Sequence, residues 1–229
     1  MSKAFDRIRS LLPTTPVLSR RTALHATVLG AAMTLTLTTA AGDFGAQAAE
    51  PTWTIPMSGL AGGTGYLNAQ HAQAGWYVGC DAVGTKVRAH RGKGVSGAGV
   101  IDITSVTFGS TASAATCPGP FGLTMEITAD TLPMKFDALA FDARTGTVAG
   151  RVSGIKATVE SSDGCVLTVS GQADATYSNS DGAIVLDDRD HLRVTAASAP
   201  CASGAVQVGD TIMVDGRFEV NPHGVITSP

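Results

Sequence analysis

The chain predicts an all-β fold, an antiparallel β-sandwich or partly open β-barrel held by two disulfides. Three observations predict it. Apolar and polar residues alternate with a period of two from Trp53 onward, glycine-rich turns punctuate that alternation, and four cysteines follow an export-type leader. No stretch beyond the leader sustains a helical period over ten or more positions.

Charge sets the first segment apart. Lys3, Arg7, Arg9, Arg20 and Arg21 form a basic leader, residues 22–41 carry no Asp, Glu, Lys or Arg, and small residues follow. Ala46 and Ala48 suit the two small positions before a signal-peptidase cut, so residues 1–48 are expected to be an export signal peptide. The Arg20-Arg21 pair is similar to the twin-arginine signal, with Ala23 standing where that pattern has a bulky apolar residue. Threonine and alanine make 22–41 a weak span beside the roughly 20 strongly apolar residues that cross a bilayer. The expectation is a secreted protein, extracellular or cell-wall associated, with residues 49–229 as a single β domain whose core runs from about 53 to 221. Without the leader, 11 basic residues face 17 acids, a net charge of −6. Such a surface does not seek nucleic acid or anionic lipid as a whole.

Individual strands are legible. In LTMEITA, Leu123, Met125 and Ile127 share a face; in TIMVDGRFEV, Ile212, Val214, Phe218 and Val220 do. TVAGRVSGIKATVES keeps Val148 and Val152 in phase and slips by one at Gly154, so that Ile155, Ala157 and Val159 continue the core face, which predicts a bulge. Hairpin turns are expected at 142–147, 161–165 and 179–183. Residues 61–75 are the expected exception, a short helix or loop, and 49–52 and 222–229 are expected to fray.

Cys80, Cys117, Cys165 and Cys201 allow three pairings. Pairing in order, Cys80–Cys117 and Cys165–Cys201, is expected because each pair then brackets a run of strands within one half. No two cysteines sit two to four residues apart, so a zinc site is not expected.

Four groups of residues are candidates for function. Asp187, Asp188, Arg189, Asp190 and His191 are the densest cluster, expected to form the polar turn between strands at 183–186 and 192–195. The alternative is a weak calcium site on Asp187, Asp188 and Asp190, to which Arg189 brings an unfavourable charge. Lys86, Arg88 and His90 alternate, with Arg91 and Lys93 beyond, a positive stripe that suits an anionic cell-wall polymer or guards a strand edge. Trp53, Trp76, Tyr77 and Tyr66 are the clustered aromatics; they suit core packing, with sugar stacking as the other reading. Catalytic machinery is sparse: GVSGAG at 94–99 fails the nucleophile-elbow spacing, and metalloprotease, phosphate-loop and dinucleotide patterns do not occur. A serine–histidine site would draw on His71, His90, His191 and His223, and a hydrolase on distant acids such as Asp187 or Asp188 with Glu126. No cofactor is expected.

Residues 116–159, 164–186 and the closing GDTIMVDGRFEVNPHGVITSP resemble a family of exported actinobacterial β-rich proteins of unknown function with two cysteine pairs. The most specific pieces are CPGPFGL, ATYSNS and ITSP. The resemblance implies export and a β architecture and carries over no site. The expected function is therefore a non-enzymatic binding module that meets cell-wall polymer or another extracellular protein. A carboxylate hydrolase and a calcium-stabilised adhesion module are the alternatives.

Overall fold

Alternation becomes twelve strands in a computed structural model that describes residues 50–56, 59–199, 201 and 206–229. The expected export leader, the Arg20-Arg21 pair and the expected cleavage position lie outside the described residues. The strands are β1 (Trp53–Ile55), β2 (Gly59–His71), β3 (Tyr77–Ala89), β4 (Gly92–Val95), β5 (Ile101–Thr107) and β6 (Cys117–Pro118). Then follow β7 (Thr124–Ala129), β8 (Met134–Asp142), β9 (Thr147–Ser161), β10 (Val166–Ser178), β11 (Ala183–Ala197) and β12 (Thr211–Glu219). No helix among the described residues is long and apolar enough to cross a membrane.

Every pairing is antiparallel, and the ladder runs β9–β10–β11–β12–β2–β3–β5–β8 and back to β9. That closed circuit of eight strands is a barrel. Its seam is narrow: β5 and β8 share the register Ile101↔Phe136 to Ile103↔Met134 and no more. Beyond it β7 takes the place beside β9, β6 pairs with β7, and the Cys80–Cys117 disulfide ties β6 back to β3. The barrel is thus partly open, bridged there by a covalent bond instead of a ladder. Cys165–Cys201 is the second disulfide, so the cysteines pair in order.

Inward positions follow the expected phases. Ile212, Val214, Phe218 and Val220 are buried, as are Val148 and Val152. At Gly154, φ is +75° and the β9–β10 register slips, so the bulge lies where the phase breaks. The three expected hairpin turns link β8 to β9, β9 to β10 and β10 to β11.

Two expectations fail. Residues 61–75 hold neither helix nor loop along most of their length, because β2 runs to His71 and only Ala72–Gly75 turn. The glycines mark close approach: a Cβ on Gly63 or Gly65 would run into the Glu219 or Arg217 carbonyl of β12. The C-terminal tail is also pinned. Ile226 is fully buried, Thr54 and Thr227 exchange backbone hydrogen bonds, and the Asn179 amide brackets Ile226 with two bonds of 2.8 Å. The Tyr177 hydroxyl donates to the Gly224 carbonyl, 2.8 Å. Tail polarity hid these long-range partners.

Candidate functional site

The acidic cluster is no hairpin turn. Strand β11 runs on through it with a large bulge: Asp188 faces Val214 and Leu192 faces Ile212, so three residues oppose one. Asp187 and Asp188, successive on a strand, point to opposite sides, the first largely exposed and the second buried. The three acids of the calcium reading therefore do not converge on one ion. Asp187 pairs with Arg189 at 2.8 Å, and Asp190 is solvated.

Asp188 instead organises the bulge. Its carboxylate accepts the His191 backbone N–H (3.0 Å), the His191 ring at Nδ1 (2.6 Å) and the Asp174 N–H (3.4 Å). Asp188, then Asp190 and Asp174, hold the His191 imidazole above its ordinary pKa. Asp174, which sequence reasoning missed because it lies on β10, brings a third donor: Asp174, Asp188 and His191 offer ligand atoms within 4.8 Å of one another. Every close contact of Asp188 already serves the fold, so the cluster reads as a staple. Glu126 sits on β7, with β9 and β10 between it and β11, on the order of 14 Å across the sheet. The proposed carboxylate pair does not come together.

His71 is a second staple. It is buried, its Nδ1 accepts the Ala74 N–H at 2.9 Å, and its Nε2 therefore donates to Asp210, 2.9 Å away. Both ring nitrogens are occupied in holding the turn after β2, with Trp76 stacked on the ring at 4.9 Å. The Gln207 N–H first, and His71 second, hold the Asp210 carboxyl below its ordinary pKa.

The basic stripe is exposed on one face, as its alternation requires. Lys86 and Arg88 point outward from β3, and neither has a carboxylate within ion-pair distance among the described residues. His90 differs, with Nε2 2.8 Å from Asp102. Arg91 and Lys93 follow, exposed, where the chain enters and forms β4.

The aromatics separate into two groups. Trp53 is fully buried and Trp76 packs against the core, as expected of core residues. Tyr66 and Tyr77 do not: 42% and 52% exposed, they line one shallow outer groove of about 830 Å³ between β12, β2 and β3. A bulge shapes it, Tyr66 facing both Asp81 and Ala82. Tyr77 lies across Gly79, where a Cβ would sit 2.7 Å from its hydroxyl. Its hydroxyl donates to Asn68 Oδ1 (2.6 Å), and Asn68 Nδ2 donates to Asp215 (2.9 Å), which fixes the amide's orientation. Arg217, opposite Tyr66, is held by Asp181, whose carboxyl it draws down to about 2 with help from Ser178. Glu219 completes the wall, while Asp81 is occupied by the Thr111 N–H and hydroxyl. The clue in the sequence was parity: Tyr66, Asn68 and Gln70 alternate with the inward Leu67, Ala69 and His71.

No protein-family model, curated protein or solved structure matches this chain.

Proposed function

We propose that the protein is an exported, non-enzymatic binding module that holds an anionic cell-wall polysaccharide along the outer face of β12, β2 and β3. One observation carries the reading: the tyrosine groove and the unpaired cations Lys86 and Arg88 share the outward positions of a single strand, roughly 35 Å from Tyr77 to Arg88. Exposed tyrosine rings present an apolar face for a sugar's C–H side and a hydroxyl at their wet end. Asn68, Asp215 and Glu219 supply fixed amide and carboxylate partners for hydroxyl groups. Lys86, Arg88 and Arg91 supply salt-sensitive attraction for an anionic polymer that the net charge of −6 without the leader otherwise repels. Many weak contacts along one chain add into firm retention. Glycines at positions 62, 79 and 84 keep the track between them low.

The test is retention on purified, phosphate-bearing wall polysaccharide. The Tyr66→Ala/Tyr77→Ala variant should lose retention at least tenfold at every salt concentration. The Lys86→Ala/Arg88→Ala/Arg91→Ala variant should lose it chiefly at low salt. Retention that survives both sets of changes overturns the reading.

A further inference from the structure

The barrel interior is not completely filled. A cavity of about 130 Å³ remains among apolar side chains contributed by β2, β3, β5 and β7 through β12. Its wall is built from Val, Ile, Leu, Ala, Met and aromatic residues, with Thr85 the single polar type among them. An apolar cavity of about 150 Å³ stays dry and takes up benzene, so this one has room for a hydrocarbon group of similar size and none of the partners that water needs. Ala69 and Ala157 leave the room: at those inward positions a leucine would fill it.

The cavity leads somewhere. A second hollow of about 120 Å³ lies at the disulfide-bonded end of the barrel. Trp76, Val78, Val159 and Leu167 line both spaces, so the two are neighbours. Over the outer hollow stands the Pro120–Gly122 turn, whose Phe121 is 96% exposed and adopts φ +58°, a left-handed conformation uncommon outside glycine. Two polar residues, Ser161 and Asp163, line this otherwise apolar hollow. The Ser161 hydroxyl is buried beside the Asp163 carboxylate, which it holds below its ordinary pKa, and has no other partner.

We propose that the barrel binds a single alkyl or acyl chain, with the tail in the inner cavity and an uncharged oxygen of the head group accepting a hydrogen bond from Ser161. The two spaces together hold on the order of ten carbons by comparison with the benzene-sized cavity. Asp163 at the mouth disfavours an anionic head, so an alcohol or ester is preferred over a fatty acid. This site faces inward and stands independently of the polysaccharide face, which the Tyr66→Ala/Tyr77→Ala variant leaves out of play.

Titration of the oxidised protein with decan-1-ol, decanoate and decane tests it, read by melting temperature and by tryptophan emission, to which Trp76 beside the cavity contributes. Decan-1-ol should bind saturably, raise the melting temperature and shift the emission; decanoate at neutral pH should bind at least tenfold more weakly. Ala157→Leu should abolish decan-1-ol binding while the protein still melts cooperatively, with Leu167→Phe as a second block if that variant does not fold. Ser161→Ala should weaken decan-1-ol severalfold and leave decane unchanged. No saturable binding of decan-1-ol to the wild-type chain, or undiminished binding in a folded blocked variant, overturns the proposal.

Discussion

A single buried carboxylate explains why the densest polar cluster of the chain is structural. Asp188 occupies an inward phase of β11, continuing Ile184 and Leu186, and a carboxylate there is tolerable only with donors on it. His191 provides two of them, from its backbone and its ring. The imidazole is therefore more basic in the native state than in the unfolded chain, where its pKa is about 6.5. The native state binds the proton more tightly, so this contribution is fully present below about pH 6.5 and is lost as pH rises through the elevated native value. Urea midpoints measured between pH 5.5 and 8.5 should fall with rising pH in the wild type. In His191→Gln they should fall less steeply across the same window. Equal slopes would mean that the ring's proton is not linked to folding.

Among the elements, alternation was legible wherever both faces of a strand carried clear signals, as in β7, β9 and β12. It failed in β2, whose glycines hide a strand behind loop composition. It also failed at Asp187–His191, where local polarity suggests a turn but β10 and β12 on either side keep the strand running. Both misses come from partners distant in the chain. The groove was missed for the same reason: Tyr66 and Tyr77 meet only through the β2–β3 register, and Arg217 joins them from β12. If Gly65 is there for close approach, then Gly65→Ala should destabilise by about 1–3 kcal/mol through overpacking against the Arg217 carbonyl, shifting the melting temperature by roughly 2–10 °C. A Gly65→Ala protein as stable as the wild type would mean that β2 and β12 have slack between them.

For the whole molecule, the two disulfides close loops of nearly equal length, with sequence separations of 37 and 36 residues. Chain entropy alone therefore makes them equivalent, each worth about 4 kcal/mol. Their places in the barrel are not equivalent. Cys165–Cys201 ties the start of β10 to the segment after β11, next to strands that are already paired along most of their lengths. Cys80–Cys117 bridges the seam, where the β5–β8 ladder is three residues long and β6 reaches β3 without a ladder of its own. Replacing both cysteines of the seam bond by serine should thus cost more than the same change in the other pair. It should also open β6 and β7 selectively, because local unfolding follows the elements with the fewest remaining hydrogen bonds. Hydrogen exchange resolves the two cases: the Cys80→Ser/Cys117→Ser chain should lose protection at Met125–Ala129 first, and the Cys165→Ser/Cys201→Ser chain should retain it. Equal loss of stability with uniform exchange in both variants would mean that the barrel opens as one unit, and that the bond at its seam acts on the unfolded chain alone.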